Sequence, residues 1–238
     1  MSALWHMCVL IPARNEAELL PQCLRSVLEA RKQLSSTTSC DIVVAVDRST
    51  DKTFDIASNM LEGKGAVVSL DAGMVGEART LAAEVALRRY HGPLNRCWLA
   101  NTDADCCVPK SWLSDHLMLC GLGAEAVAGT IDVVDFSEHL PGVDLRFRSS
   151  YHVAPDGTHS HVHGANFGVR ADAYVRAGGW GSLCTAEDHD LWNRLADHGT
   201  KRVSVDRVKV LTSGRRIGRA PRGFAATLAA HNEFVYEP

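Results

Sequence analysis

The chain has 238 residues, 46% of them hydrophobic and 22% charged, which fits one globular domain and excludes a disordered chain. A formal net charge of −3 excludes a protein that binds nucleic acid through its overall field. No apolar run is long enough to span a bilayer, and the opening MSALWHMCVLIPARNE lacks the cationic segment, apolar core and cleavage site of an export signal. Eight cysteines are scattered through apolar stretches, with Cys106 and Cys107 adjacent. They read as buried thiols of a reduced, soluble, cytoplasmic chain.

Met7–Ile11 is a continuous apolar run, the pattern of a strand covered on both faces. Glu16 to Arg31 has Leu20, Leu24, Val27 and Leu28 at helical spacing, with Pro21 close enough to the first turn to be tolerated. Asp41–Val46 is a second strand, Lys52–Leu61 a second helix, and Ala66–Leu70 a third strand. Val75–Tyr90 is a third helix with Ala78, Leu81, Ala82 and Val85 as its apolar stripe. Arg96–Ala100 and Lys110–Leu119 add a fourth strand and helix, and Val127–Val134 a further strand. Residues 135–157 are polar and punctuated by Pro and Gly, and read as a functional loop or irregular hairpin. Helical signal returns at Ala171–Ala177 and Glu187–His198, Arg202–Leu211 reads as a strand, and a basic tail begins at Ser213. The alternation predicts an α/β domain, a mainly parallel sheet flanked by helices. Without repeats or low-complexity linkers, residues 1–238 count as a single domain.

Ligands of such sheets bind beyond the carboxyl ends of the strands. There the sequence places Pro12-Ala13-Arg14-Asn15-Glu16, then Asp47-Arg48-Ser49-Thr50-Asp51, then Asn101-Thr102-Asp103-Ala104-Asp105. A single acid at a strand end is usually a cap or turn former, and Asp51 fits that role. Three clusters converging on one edge suit a cation and an anionic ligand. Asp103 and Asp105, two apart in an extended segment, share a side and suit a hard divalent ion that neutralises a diphosphate. Taken alone, D-x-D is a weak motif that also serves as a helix cap.

VLIPARNEAELLPQCLRSVL, VAVDRSTDKT, WLANTDADCCVPKSWL and GANFGVRADAYVRAGGWGSLCTAEDHDLWNRLADHG, in this order and spacing, resemble glycosyltransferase family 2. The resemblance runs from about Met7 to Gly199. It implies a GT-A (Rossmann-like) fold and transfer of a sugar from a nucleoside diphosphate to an acceptor hydroxyl, with inversion and with Mg²⁺ or Mn²⁺. Residues 1–105 would form the nucleotide-sugar-binding half, 106–212 the acceptor and catalytic half, and 213–238 a basic tail. Pro12, Ala13, Arg14, Glu16 and Asp47 match the segments that hold the nucleotide, with Arg79 beside it. Asp105 would bind the metal, and Asp103 the ribose or the metal. Gly164-Ala165-Asn166 matches the segment near donor sugar and acceptor, and Asp188, beside Glu187, matches the catalytic base. Two departures bear on donor choice. Arg48 stands where glycine is common after strand two, and Thr80 follows Ala78-Arg79 where the family usually has asparagine.

At the start of its helix, Glu187 or Asp188 also has a structural reading, since acids there are favoured by the helix dipole. His159, His161 and His163 alternate in THSHVHGAN and form one row if extended, a row that suits zinc, acceptor contact or plain exposure. Arg215, Arg216, Arg219 and Arg222 crowd the tail, which would suit a solvated face, a diphosphate, an acidic acceptor or peripheral contact with an anionic membrane. The acceptor class, whether small molecule, lipid or glycan, is open at this level. A nucleotidyltransferase is the rival enzyme reading, disfavoured because Pro12–Glu16 lacks a glycine-rich phosphate loop. A catalytically inactive nucleotide-sugar-binding protein is the rival outside enzymes.

Overall fold

A computed structural model describes residues 5–220 and 223–233. Its single sheet is built of β1 (Trp5–Ala13), β2 (Thr38–Asp47), β3 (Ala66–Leu70), β4 (Cys97–Asn101), β5 (Ala126–Val133), β6 (Phe167–Arg170) and β7 (Arg202–Thr212). The strand order is β3-β2-β1-β4-β6-β5-β7. All pairings are parallel except those of β6, which runs antiparallel to β4 and to β5.

β1 shows why this sequence makes a central strand. Met7, Val9 and Ile11 enter one apolar layer and Cys8 and Leu10 the other. All five are fully buried. With both faces covered, alternation has no use and the run is continuously apolar. One layer is covered by α1 (Leu20–Lys32), α2 (Thr53–Met60) and α4 (Trp112–Gly121). The other is covered by α3 (Val75–Arg89), α6 (Ala171–Arg176) and α7 (Glu187–Asp197). Burying each Val, Leu or Ile in these layers stabilises the fold by about 1.5–3 kcal/mol before entropy is subtracted.

α1 starts four residues later than the sequence suggests. Pro21 has no N–H and must lie in the first turn, so the helix begins at Leu20. Before it, the Glu16 amide donates to Thr53 Oγ1 at 2.8 Å and the Ala17 amide to Asp51 Oδ2 at 3.1 Å. Asp51 Oδ1 also accepts the Thr53 N–H at 3.0 Å, the turn-forming role expected of it.

Three elements are not visible in the sequence pattern. β6 has four residues and a glycine inside it. A Cβ on Gly168 would lie 2.6 Å from both His116 Nδ1 and Trp98 Nε1, so glycine lets the strand pass over them. α5 (Val143–Ser150) and α8 (Phe224–Ala230) bury one apolar edge each. Val143, Phe147 and Leu228 pack with Val133 in a small separate core. The polar stretch 135–157 therefore contains a helix.

His116 is fully buried against the Trp98 and Trp112 rings, with neither ring nitrogen partnered among the described residues. Burial lowers its pKa to about 3. An unfolded histidine titrates near 6.5, so below that pH the unfolded chain takes up a proton that the folded chain refuses. Stability is complete above about pH 6.5 and is lost as pH falls. Between pH 7 and pH 5 the loss from this residue is about 2 kcal/mol. Urea unfolding of His116→Leu at the two pH values is expected to show a drop smaller by that amount.

Candidate active site

The carboxyl edge of the sheet opens into a cavity of about 490 Å³. Pro12, Ala13, Arg14 and Glu16 line it from the end of β1, and Asp47 from the end of β2. Arg79 comes from α3, Asp103 and Asp105 from beyond β4, and Glu187 and Asp188 from the first turn of α7.

Arg79 ties the two halves together. It is 1% exposed, donating from Nη2 to Asp103 Oδ1 at 2.6 Å and from Nε to Glu187 Oε1 at 3.1 Å. Its guanidinium also lies 5.4 Å from the centre of the Trp180 ring. Burial opposes its charge, but Asp103 and Glu187 outweigh burial and hold its pKa above the ordinary arginine value. Burial pushes the carboxyl pKa values of Asp103 and Glu187 up, against the pull of Arg79. Gly164 lets the guanidinium pass, since a Cβ there would sit 2.4 Å from Nη2.

Asp188 Oδ2 accepts the Gly164 N–H at 2.7 Å, and its Oδ1 accepts the His189 N–H at 2.8 Å. Asp47 Oδ1 accepts two amides, Ala72 and Gly73, each at 2.9 Å, and so pins the β3–α3 loop. Among the described residues, three that are not glycine have positive φ: Asn15 (51°), Arg48 (50°) and Ala186 (60°). All three are at or beside the cavity, and such strain of roughly 1–3 kcal/mol each gathers at functional sites. The value at Arg48 accounts for the glycine common there in the family. Arg48 accepts the strain while bonding Asp71 with its guanidinium.

Asn166 departs from the sequence expectation, because its side chain points into the core and it does not line the cavity. Its Oδ1 accepts Trp112 Nε1 at 3.0 Å, and Nδ2 donates to the Thr130 and Val208 carbonyls at 2.8 and 2.9 Å. It locks the 3₁₀ turn Gly164–Asn166 from below.

The histidine row is a stack. His159, His161 and His163 have ring centroids 5.7 and 5.9 Å apart, and Tyr151 lies over His161 at 3.8 Å. Tyr151 Oη accepts the Ile131 N–H at 3.1 Å, so its single proton goes to His163 Nε2 at 2.9 Å. Burial lowers the His163 pKa to about 4, so it is neutral at pH 7. The described residues include one cluster with metal-ligand spacing, and it is elsewhere.

That cluster is Asp103, Asp105 and Cys106, with ligand atoms within 4.8 Å of one another. The carboxylates suit a hard divalent ion. Cys106 does not, because burial pushes its thiol pKa well above the usual range and keeps it a neutral, soft ligand. A cation here would rest on the two aspartates.

Sequence reasoning located the strand-end acids and missed their partners from the tail. Ser213 Oγ and Arg215 Nη2 both donate to Asp105 Oδ2, at 2.6 and 2.7 Å. Arg219 reaches the Asn15 carbonyl at 2.9 Å. Arg222 lies outside the described residues.

The sheet order and the acids gathered at its carboxyl edge define a GT-A fold, shared with known glycosyltransferases. The model of the family "Glycosyl transferase family 2" matches residues 8–176, and the chain belongs to that family. TarS (residues 1–349) of S. aureus in complex with UDP-GlcNAc is similar at TM-score 0.68 and 18% identity, over 90% of this chain and 60% of that one. The mannosyltransferase PcManGT of Pyrobaculum calidifontis, with GDP-Man and Mn²⁺, gives TM-score 0.63 and 20% identity, over 95% of this chain and 68% of that one. GalNAc-T7 with UDP, GalNAc and Mn²⁺ gives 0.67 and 16%, over 90% and 45%. This chain thus spans less than two thirds of the TarS chain. No curated protein shows a significant sequence match. Among the described residues, no helix is long and apolar enough to cross a membrane.

Proposed function

We propose that the protein transfers a sugar from a nucleoside diphosphate to an acceptor hydroxyl, with inversion at the anomeric carbon. The observation that carries this reading is the convergence of Asp47, Asp103, Asp105, Glu187 and Asp188 on one cavity. Pro12, Ala13, Arg14, Glu16 and Asp47 form the nucleotide side, and residues 1–105 are the donor-binding half. Residues 106–212 supply the acceptor side, and the tail contributes Ser213 and Arg215 to the same cavity.

Asp188 is the general base. Its carboxylate faces the cavity, and the Gly164 amide fixes its direction without protonating it. Glu187 is a positioning residue that holds Arg79, and Arg79 in turn sets the rotamer of Asp103. Asp103 and Asp105 would hold Mg²⁺ or Mn²⁺, which when bound supplies Lewis-acid neutralisation of the departing diphosphate. The acceptor enters beside Tyr151 and His163, whose neutral ring does not compete with Asp188 for the hydroxyl proton.

Thermal shift with UDP and GDP, with and without MnCl₂, tests the reading. A ligand at a hundredfold excess over its dissociation constant stabilises the folded state by about 2.7 kcal/mol. Asp105→Ala is expected to keep the fold and abolish the Mn²⁺-dependent part of that shift. An unchanged Mn²⁺-dependent shift in folded Asp105→Ala would remove Asp105 from the site. Incubation with labelled UDP- and GDP-sugars then identifies the product.

A further inference from the structure

Beyond β7 the chain passes Ser213 and Gly214 and then turns Arg215 into the cavity. A Cβ on Gly214 would lie 1.6 Å from the Asp135 carbonyl oxygen, so glycine is required for this close passage. The Gly214 carbonyl lies 2.7 Å from His139 Nε2, which anchors the segment at that point. Past the anchor, the Arg215 guanidinium lies between two carboxylates. Its Nη2 donates to Asp105 Oδ2 at 2.7 Å and to Glu16 Oε1 at 2.8 Å. Arg219 stands 3.8 Å from the same Glu16 oxygen.

Asp105 Oδ2 therefore already accepts from a hydroxyl and from a full positive charge. A divalent ion on that oxygen would face the guanidinium at near-contact distance, where like charges repel strongly in a partly desolvated site. Charge balance permits an exchange. Glu16 and Asp105 are matched by Arg215 and Arg219, and a divalent ion together with a diphosphate adds about no net charge. The balance is therefore unchanged by loading, and an arginine is free to turn from a carboxylate to the incoming phosphate oxygens. A planar guanidinium suits both partners, since carboxylate and phosphate each accept its fork of N–H groups.

Resting on the donor reading above, we infer that Arg215 is an exchangeable group of the donor site. In the empty cavity it holds Asp105, and in the loaded cavity it releases Asp105 and binds the diphosphate of the donor. With the segment anchored at Gly214, Gly218 beyond Arg215 gives it the backbone freedom for this change.

Calorimetry on wild type, Arg215→Gln and Arg215→Lys tests it, with MnCl₂ alone and then with UDP and GDP in saturating MnCl₂. Arg215→Gln removes the competitor and the phosphate ligand together. It is expected to bind Mn²⁺ alone about tenfold tighter and the preferred diphosphate about tenfold weaker. Arg215→Lys keeps the charge, so Mn²⁺ affinity stays near wild type while diphosphate affinity falls. Opposite shifts in the two titrations are the signature, because a purely structural role would weaken both. Unchanged or weakened Mn²⁺ affinity in Arg215→Gln, beside a wild type that binds Mn²⁺ and diphosphate, overturns the exchange and leaves the donor reading standing. A wild type that binds neither MnCl₂ nor either diphosphate overturns the donor reading, and the exchange with it.

Discussion

Asp188→Asn is expected to lower kcat by about 10² or more while leaving donor affinity near wild type. Asparagine keeps the size of the side chain and offers one oxygen to the Gly164 N–H, so the turn above Arg79 stays in place. It cannot take a proton at neutral pH, and the loss falls on the step in which the acceptor oxygen attacks. The loss should therefore appear in kcat rather than mainly in KM. Glu187→Gln makes the informative comparison. Glu187 is 5% exposed and bonded to Arg79, so its replacement disturbs a buried ion pair and leaves Asp188, the proposed base, in place. Steady-state kinetics on both variants with one labelled donor checks the assignment. Near-normal turnover in Asp188→Asn beside a dead Glu187→Gln would move the base to Glu187.

The second large effect is on stability and centres on Arg79. Arg79→Met leaves the buried Glu187 and the partly exposed Asp103 without the cation they share, and the cost falls mainly on the Glu187 pair. Breaking a buried pair from one side costs about 3–5 kcal/mol, a large part of the 5–15 kcal/mol that typically holds a domain together. Burial already pushes both acids toward protonation, so the cost should shrink as pH falls and they become neutral. Adding Glu187→Gln removes one stranded charge and should return part of the stability, while turnover stays low because Asp103 has lost its anchor. Urea unfolding of the two single variants and the double variant measures this coupling directly. Strictly additive losses would show that Arg79 and Glu187 do not act as a unit.

How far the sequence discloses this molecule follows from where its contacts are made. The central strands are legible because both faces are covered, and a run such as MCVLI leaves few other solutions. β6 is not, because its four residues owe their place to Gly168 passing the His116 and Trp98 rings, a contact between distant segments. α5 and α8 escape notice for the same reason, since Phe147 and Leu228 bury mainly against each other's helices. In the site, the acids at strand ends are visible because topology alone sends them to one edge. Their partners are not. Asp105 meets Ser213 and Arg215 across more than a hundred residues, and only the closed fold brings them together. Asn166 shows the converse. Its carboxamide has three internal partners, which commit it to the core and leave it no free N–H for a ligand.

The single reversed strand has a consequence for how the molecule comes into being. β1, β2, β3 and β4 are adjacent in space and contiguous within residues 5–101, so that side of the sheet can pair as soon as it is made. β6 must then slot between β4 and β5, and β7 joins at the far edge through contacts of long sequence separation. Long-range pairings of this kind form late, because the loop they close must be ordered before they repay it. During synthesis the part of the cavity lined by the ends of β1, β2 and β4 is thus built first and stands open. Arg215, which follows β7 in the chain, reaches it only when that last strand has docked, so the cavity is completed late in folding.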